Sequence, residues 1–443
     1  MQQLDERKYS LPRLVWPIAV ELLLFFLLGI TDTLMVSRIS DGAVGVVGLS
    51  NHFFEFVIVS FELICGGAGI VIAQRIGANR LLDARRAATM AFSLAMAVGL
   101  IVSVVIFFGA STIGRLLQMP IEFRDMGVEY IMIVGSSTFV ISGMMALSAA
   151  IRNAGNTKGP MLISVGINIL HVFGNYVFIF GALGFPQWGL TGVAISTVVS
   201  RVVGLLFMFL LFQKSFGSRI VWKEYVTFDK PILKEIGKIG LPMMGTAVSW
   251  SFSQLVIIAA IASMGTVMLA TKTYMNIMES FVYLAGWSFA VAVQIQVGYL
   301  YGANKHDAAY RSPFIAFRWG LLITMINVVL LLLFGREILN YLTDDPEIIK
   351  IGSILLWINI LLQPLKFMNM PVSTSLNAVG DSKYLMKISI PSMWLIAVGG
   401  TFLLGKGLDW MIFGVYIAMM SDELVRGILV FRRWMSKVKL NIE

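Results

Sequence analysis

Twelve apolar stretches, each long enough to cross a lipid bilayer, follow one another along the chain, and no other feature restricts its folding as tightly. A span needs about 20 apolar residues. Such segments run near 14–36, 46–73, 88–112, 127–150, 160–182 and 188–213, then near 239–262, 268–300, 314–335, 348–375, 385–405 and 409–431. Lipid offers no partner to a backbone amide, so each segment has to close its own hydrogen bonds as a helix; barrel strands would read as about 10 alternating residues instead. Composition agrees, with 58% hydrophobic and only 13% charged residues, where soluble domains carry about 25% charge. The expected fold class is all-α, a polytopic membrane protein of 12 transmembrane helices.

The sequence repeats itself. Gly77-Ala78-Asn79 recurs as Gly302-Ala303-Asn304, a shift of 302 − 77 = 225, and Pro17 recurs as Pro242 at the same shift. Asn51 and Phe56 map to Asn276 and Phe281, and Gly155-Asn156-Thr157-Lys158 maps to Gly380-Asp381-Ser382-Lys383. After a three-residue slip, Trp188 with Gly192-Val193 answers Trp410 with Gly414-Val415. Six spans per half make both halves enter the bilayer in the same sense, as parallel repeats about an axis along the membrane normal. The expected domains are an N-terminal lobe at 1–213, a linker at 214–238 and a C-terminal lobe at 239–443. Two such lobes around a midplane cavity point to a transporter, since channels usually acquire symmetry by oligomerising.

Basic residues in short loops stay on the cytoplasmic side. By this rule about 25 of the 34 lysines and arginines fall on the side of both termini and about 7 on the other. Both termini are therefore expected on the cytoplasmic side. The net charge of +9 follows from this bias and not from a nucleic-acid surface, because the basic residues sit at helix ends. The first apolar segment runs directly into a full span with no small-residue cleavage site, so it is read as a helix and not a signal peptide. The lone Cys65 excludes an intramolecular disulfide.

Ionisable groups inside a span cost about 2.5–3.5 kcal/mol each on insertion scales, so each needs a reason. Asp32 stands in the first span within Gly29-Ile30-Thr31-Asp32-Thr33-Leu34-Met35, beyond the helix-distorting Pro17. It serves either as a carboxylate that takes up and releases a proton or as an interfacial cap near Ser37, Arg38 and Ser40. Asn168, His171 and Asn175, at i, i+3 and i+7, share one face of the fifth span, where they line a cavity or hold helices together. Glu55 and Glu62, and Lys272, Asn276 and Glu279, are similarly spaced in the second and eighth spans, as rim groups or cavity groups. Lys366, in mid-span beside Pro364, calls for a carboxylate such as Glu279. The 26 Met, 30 Phe and 10 Trp suit a promiscuous lining for lipophilic cations. The candidate substrate-contacting residues are Phe25, Met35, Asn51, Glu55, Met144, Tyr274, Asn276 and Glu279.

The run Asp32-Thr33-Leu34-Met35, the paired Gly-Ala-Asn turns, Ala154-Gly155-Asn156-Thr157-Lys158 and the stretch from Gly181 to Gly192-Val193-Ala194 resemble the multidrug and toxic compound extrusion (MATE) family over the whole chain. The resemblance implies a monomeric antiporter that exports cationic, lipophilic drugs against protons or sodium through a V-shaped cavity between two lobes, with no other cofactor. It implies Asp32 as the first-helix acid and Pro17 as the proline at which that helix kinks. His171, Asn175 and Thr197 then join Asn168 as cation-coupling residues. Many relatives have Asp where this chain has Asn175, which removes an anionic ligand from a sodium site. NorM-like members also carry acids in helices seven and ten, where Gln254 and Lys366 stand here. The expectation is therefore proton coupling and a DinF-like relationship.

Other classes fit less well. A major facilitator would show a G-x-x-x-D-R-x-G-R-R loop, which residues 77–86, GANRLLDARR, do not supply. Lipid-linked precursor flippases of the same superfamily usually have about fourteen helices. A membrane-embedded enzyme would need a convergent His, Asp and Glu cluster, yet only His52, His171 and His306 exist.

Overall fold

The computed structural model describes residues 6–217, 224–225 and 229–442, and side chains throughout these except at 6–7, 62–63 and 438–442. The Glu62 side chain and parts of the expected linker, 218–223 and 226–228, thus lie outside what is described. The described chain is helical: α1 Leu11–Val36, α2 Asp41–Gly77, α3 Leu81–Leu116, α4 Ile121–Ser136, α5 Thr138–Asn153, α6 Lys158–Phe180 and α7 Gly189–Ser215. There follow α8 Lys230–Ala262, α9 Thr266–Gly302, α10 His306–Leu342, α11 Pro346–Ala378, α12 Ser382–Gly407 and α13 Met411–Ile442. Ten of these are long and apolar enough to span a membrane, and the bent pair α4 and α5 makes an eleventh. The twelfth column is α13, which carries Asp422, Glu423 and Arg426.

The fourth span, expected to be continuous over 127–150, breaks by 41° at Ser137. Three consecutive hydroxyls explain the bend. Ser136, Ser137 and Thr138 donate to the carbonyls of Ile133, Val134 and Gly135 at 2.8, 2.7 and 2.6 Å, and such back-bonding pulls carbonyls out of the helical ladder. α12 loses regular winding behind Pro391 and runs in π-turns over Met393–Val398 and Thr401–Gly407.

Two compact units form, one of Met1–Lys8 with Trp16–Gly240 and one of Tyr9–Val15 with Leu241–Glu443. In the first, α3 packs on α5 and α6 on α7; in the second, α9 packs on α10 and α11, and α11 on α13. In the first unit Arg85 pairs with Glu224 at 2.8 Å, and Arg75 pairs with Glu235 at the start of α8.

The repeated motifs are the turns that need a left-handed backbone. Asn79 and Asn304 have φ of 60° and 57°, and Gly155 and Gly380 have 84° and 80°, a region that glycine enters freely and asparagine more readily than other residues. Their hydrogen bonds match as well. Asn79 and Asn304 donate to Ile76 and Tyr301, and Gly155 and Gly380 to Arg152 and Asn377.

Lipid does not drive helices together as water does, so their contacts depend on close packing. Gly414 shows this: a Cβ there would stand 2.6 Å from the Leu404 carbonyl carbon, and its repeat partner Gly192 would collide with Phe178. Each unit has its own apolar core. The first is built on Val46, Ile131, Val134 and Val193, the second on Ile257, Met275, Leu355 and Tyr416.

Candidate functional site

Three neighbouring side chains on α1 divide their roles. Thr31 and Thr33 turn back on their own helix, donating to the carbonyls of Leu27 and Gly29 at 2.9 Å each. Asp32 instead reaches α6, where Asn175 Nδ2 donates to its Oδ1 at 3.0 Å. It does not cap a helix end; the cap at α2 is Ser40, which accepts from the Ala43 amide.

His171 and Thr197 complete the site. His171 Nδ1 stands 3.5 Å from the same Asp32 Oδ1, and its Nε2 stands 3.0 Å from Thr197 Oγ1. The Thr197 hydroxyl donates to the Val193 carbonyl at 2.9 Å, one helical turn back on α7. A hydroxyl has a single proton, so Thr197 accepts from His171 Nε2–H. A neutral His171 then presents the bare lone pair of Nδ1 to the carboxylate. Two facing acceptors in a buried place require a proton to settle them. Asn175 adds a third unsatisfied group: it is fully buried, and its Oδ1 has no hydrogen-bond partner.

Two groups that the sequence reading passed over belong here. The charge of Arg201, on α7, acts on Asp32, His171 and Tyr130. Tyr130, on α4, is buried at 5% exposed, and that charge acts on it as well. Arg201 had a signal, because a lone arginine within the 188–213 span, four residues beyond Thr197, demands a partner by the same cost argument as Asp32.

The other expected site residues lie apart from Asp32. Asn168 donates to the Leu24 carbonyl on α1 at 3.3 Å, so its contact ties α6 to α1. Pro17 is buried at the start of α1, and near it Arg152 pairs with Glu21 at 3.3 Å. Met35 and Asn168 line a groove of about 660 Å³ with Thr31, Phe173 and Tyr176. Phe25 is 68% exposed, Asn51 and Glu55 are exposed, and Glu55 lies 3.5 Å from His52. Met144 is half-buried, with its terminal methyl near Gly204. Tyr274 packs on the core of the second unit, and Asn276 is exposed.

Glu279, placed among possible substrate contacts, is buried in the second unit inside an ion cluster. Lys366 Nζ lies 3.1 Å from its Oε2, the pairing that the mid-span lysine called for. Lys272 Nζ lies 3.9 Å from the same oxygen, and the Tyr416 hydroxyl donates to Oε1 at 2.8 Å. Among the described residues no three His, Cys, Asp or Glu side chains converge as metal ligands.

The MatE family model matches residues 17–177 and again 242–403, two stretches that begin at Pro17 and Pro242, one repeat apart. The chain belongs to the MatE family. An "Uncharacterized transporter YisQ" of Bacillus subtilis (strain 168) is 33% identical over 433 residues, 98% of this chain and 95% of that one. A "Probable multidrug resistance protein NorM" of Thermotoga maritima is 27% identical over 436 residues, 97% and 92% of the two chains. A solved structure described as the outward-facing conformation of a multidrug resistance MATE family transporter superposes with a TM-score of 0.89 at 20% identity, covering 99% of this chain and 97% of that one. This MatE protein is therefore a multi-pass membrane transporter and not an enzyme.

Proposed function

We propose that the protein is a secondary multidrug antiporter that exports lipophilic, cationic small molecules in exchange for protons by alternating access, with Asp32 as the coupling carboxylate. It acts as a monomer in a bacterial cytoplasmic membrane, both termini inside, and has no nucleic-acid partner. The observation that carries the reading is the facing of Asp32 Oδ1 and His171 Nδ1 at 3.5 Å while Thr197 occupies the other ring nitrogen. A proton resolves that contact, and an ionised Asp32 is a counter-charge for a cation. Drug and proton thus compete, and linkage makes each weaken the other's binding by the same factor.

The same residues favour a proton over sodium. A hard cation wants several negatively charged oxygens, whereas the site offers one carboxylate, the amide of Asn175, an imidazole and the opposing charge of Arg201. In the second unit Glu279 is paired with lysines, and Asp422 and Glu423 with Arg426. No acid stands in 239–262 or 348–375, which fits the DinF-like branch. Asn168 and Pro17 support the site from α6 and α1, Pro17 as the point at which α1 bends.

Efflux of ethidium from cells tests the reading, with the proton and sodium gradients collapsed separately. Export should stop with the proton gradient alone, and Asp32→Asn should be inert though present in the membrane. Normal export by Asp32→Asn would remove Asp32 from the coupling role.

A further inference from the structure

The first unit carries a second groove, of about 520 Å³, that proton coupling at Asp32 does not use. One stripe of α4 runs along it, Asp125, Glu129, Met132, Ile133 and Ser136, at spacings that stack side chains on a single helical face. α3 adds Phe107, and α7 adds Val198 and Val199. The flanking surface is apolar and bare, with Phe108 on α3 82% exposed and Val202 on α7 48% exposed.

The groove is charged at one end only. Asp125 and Glu129 are exposed, and Thr191 of α7 donates to Glu129 Oε1 at 2.9 Å. Among the described residues neither acid has a basic partner; Arg124, next in sequence, donates to the Met119 carbonyl at 3.2 Å. Like charges one helical turn apart repel, so a single cation shared between them relieves both. The two acids straddle residue 127, where the apolar span begins, and Met132, Ile133 and Ser136 lie inside it. Ser136 satisfies its own hydroxyl on the Ile133 carbonyl. From Asp125 to Ser136 is 136 − 125 = 11 residues, about 16 Å of helix, against about 15 Å for the hydrocarbon of one leaflet. Charge at the membrane surface and an apolar run one leaflet deep are the profile of a lipid; a compact drug cation would leave most of that length unfilled.

We propose that this groove holds one membrane lipid whose head group is a primary ammonium, an aminophospholipid. The three donors of the ammonium bridge the Asp125 carboxylate and Glu129 Oε2, and an acyl chain follows α4 toward Ser136 between α3 and α7. A quaternary ammonium lacks those donors, and an anionic head meets two carboxylates. By the basic-residue rule the site opens to the leaflet opposite the termini. The inference stands apart from coupling at Asp32 and requires only that the chain is embedded in a bilayer.

Native mass spectrometry of the purified, delipidated full chain tests this. The probes are equimolar dioleoyl phosphatidylethanolamine and dioleoyl phosphatidylcholine, which differ only in methylation of the ammonium. Wild type should retain the first about fivefold over the second, the upper end for an exposed ion pair, and should discriminate more strongly still against dioleoyl phosphatidylglycerol. Asp125→Asn with Glu129→Gln should bring the ratio to about one while its melting temperature in lipid-free detergent stays that of wild type. Asp125→Asn alone, at an exposed position, should about halve the ratio. Equal retention of the two lipids by wild type, a measurement that needs no variant, overturns the proposal. So does a preference for phosphatidylglycerol, or a preference for the ethanolamine lipid that survives in the double variant. Tetraphenylphosphonium added to the wild-type complex tests the other occupant: a lipid that stays bound supports the proposal, and a lipid displaced at stoichiometric cation assigns the groove to a drug and overturns it.

Discussion

Asn175 donates one amide hydrogen to Asp32 at 3.0 Å while its own buried carbonyl oxygen has no partner. The amide therefore faces Asp32 as a donor and holds an acceptor in reserve for a protonated carboxyl or a cation. Replacing Asn175 with Asp supplies the second anionic oxygen ligand that a sodium site wants. Asn175→Asp should make drug binding sensitive to sodium at fixed pH, where wild type is not. A variant as indifferent to sodium as wild type would show that the amide does not set ion choice.

Thr197 fixes the tautomer of His171 by accepting from Nε2. Thr197→Val keeps the volume and removes that acceptor, at a cost of about 1 kcal/mol for one hydrogen bond. Ethidium efflux should fall about fivefold without loss of protein from the membrane. Unchanged efflux would mean that the ring orientation is held by packing alone.

The charge of Arg201 opposes a cation arriving at Asp32. Arg201→Gln should therefore tighten ethidium binding to the purified protein and slow its turnover, since the drug then leaves a more negative site. Weaker binding would show that Arg201 orders the site more than it repels the drug.

Asp381, the repeat partner of Asn156, takes Arg433 at 2.8 Å and Lys437 at 3.1 Å and so ties α12 to the end of α13. These bases are partly exposed, so the clamp contributes on the order of 1 kcal/mol or less. Asp381→Asn should lower thermal stability slightly and leave efflux intact. A large loss of efflux would give this turn a role in the transport cycle.

The columns of the fold were legible because lipid leaves an apolar segment no alternative to a helix, and the two halves because left-handed turns at Asn79 and Asn304 constrain the residue type. The break at Ser137 was missed: its cause is three adjacent hydroxyls back-bonding, which a hydropathy pattern does not register. Asp32, His171, Asn175 and Thr197 were found as residues, and the structure brings them within hydrogen-bonding range or close to it. Asn168 shares their helical face and still bonds to Leu24, since a shared face does not determine which neighbour a side chain meets. Lys366 pointed to Glu279 through the cost of a buried charge, and Lys272 shares the helix and face of Glu279, whereas Tyr416 comes from α13 and needed three dimensions.

The central claim is that drug and proton exclude each other at Asp32. Its most direct test is the pH change on adding ethidium to purified protein in a weakly buffered solution at a pH where Asp32 is protonated. Wild type should release protons in step with drug binding, and Asp32→Asn should bind the drug without releasing any. Equal release from both proteins would contradict the account.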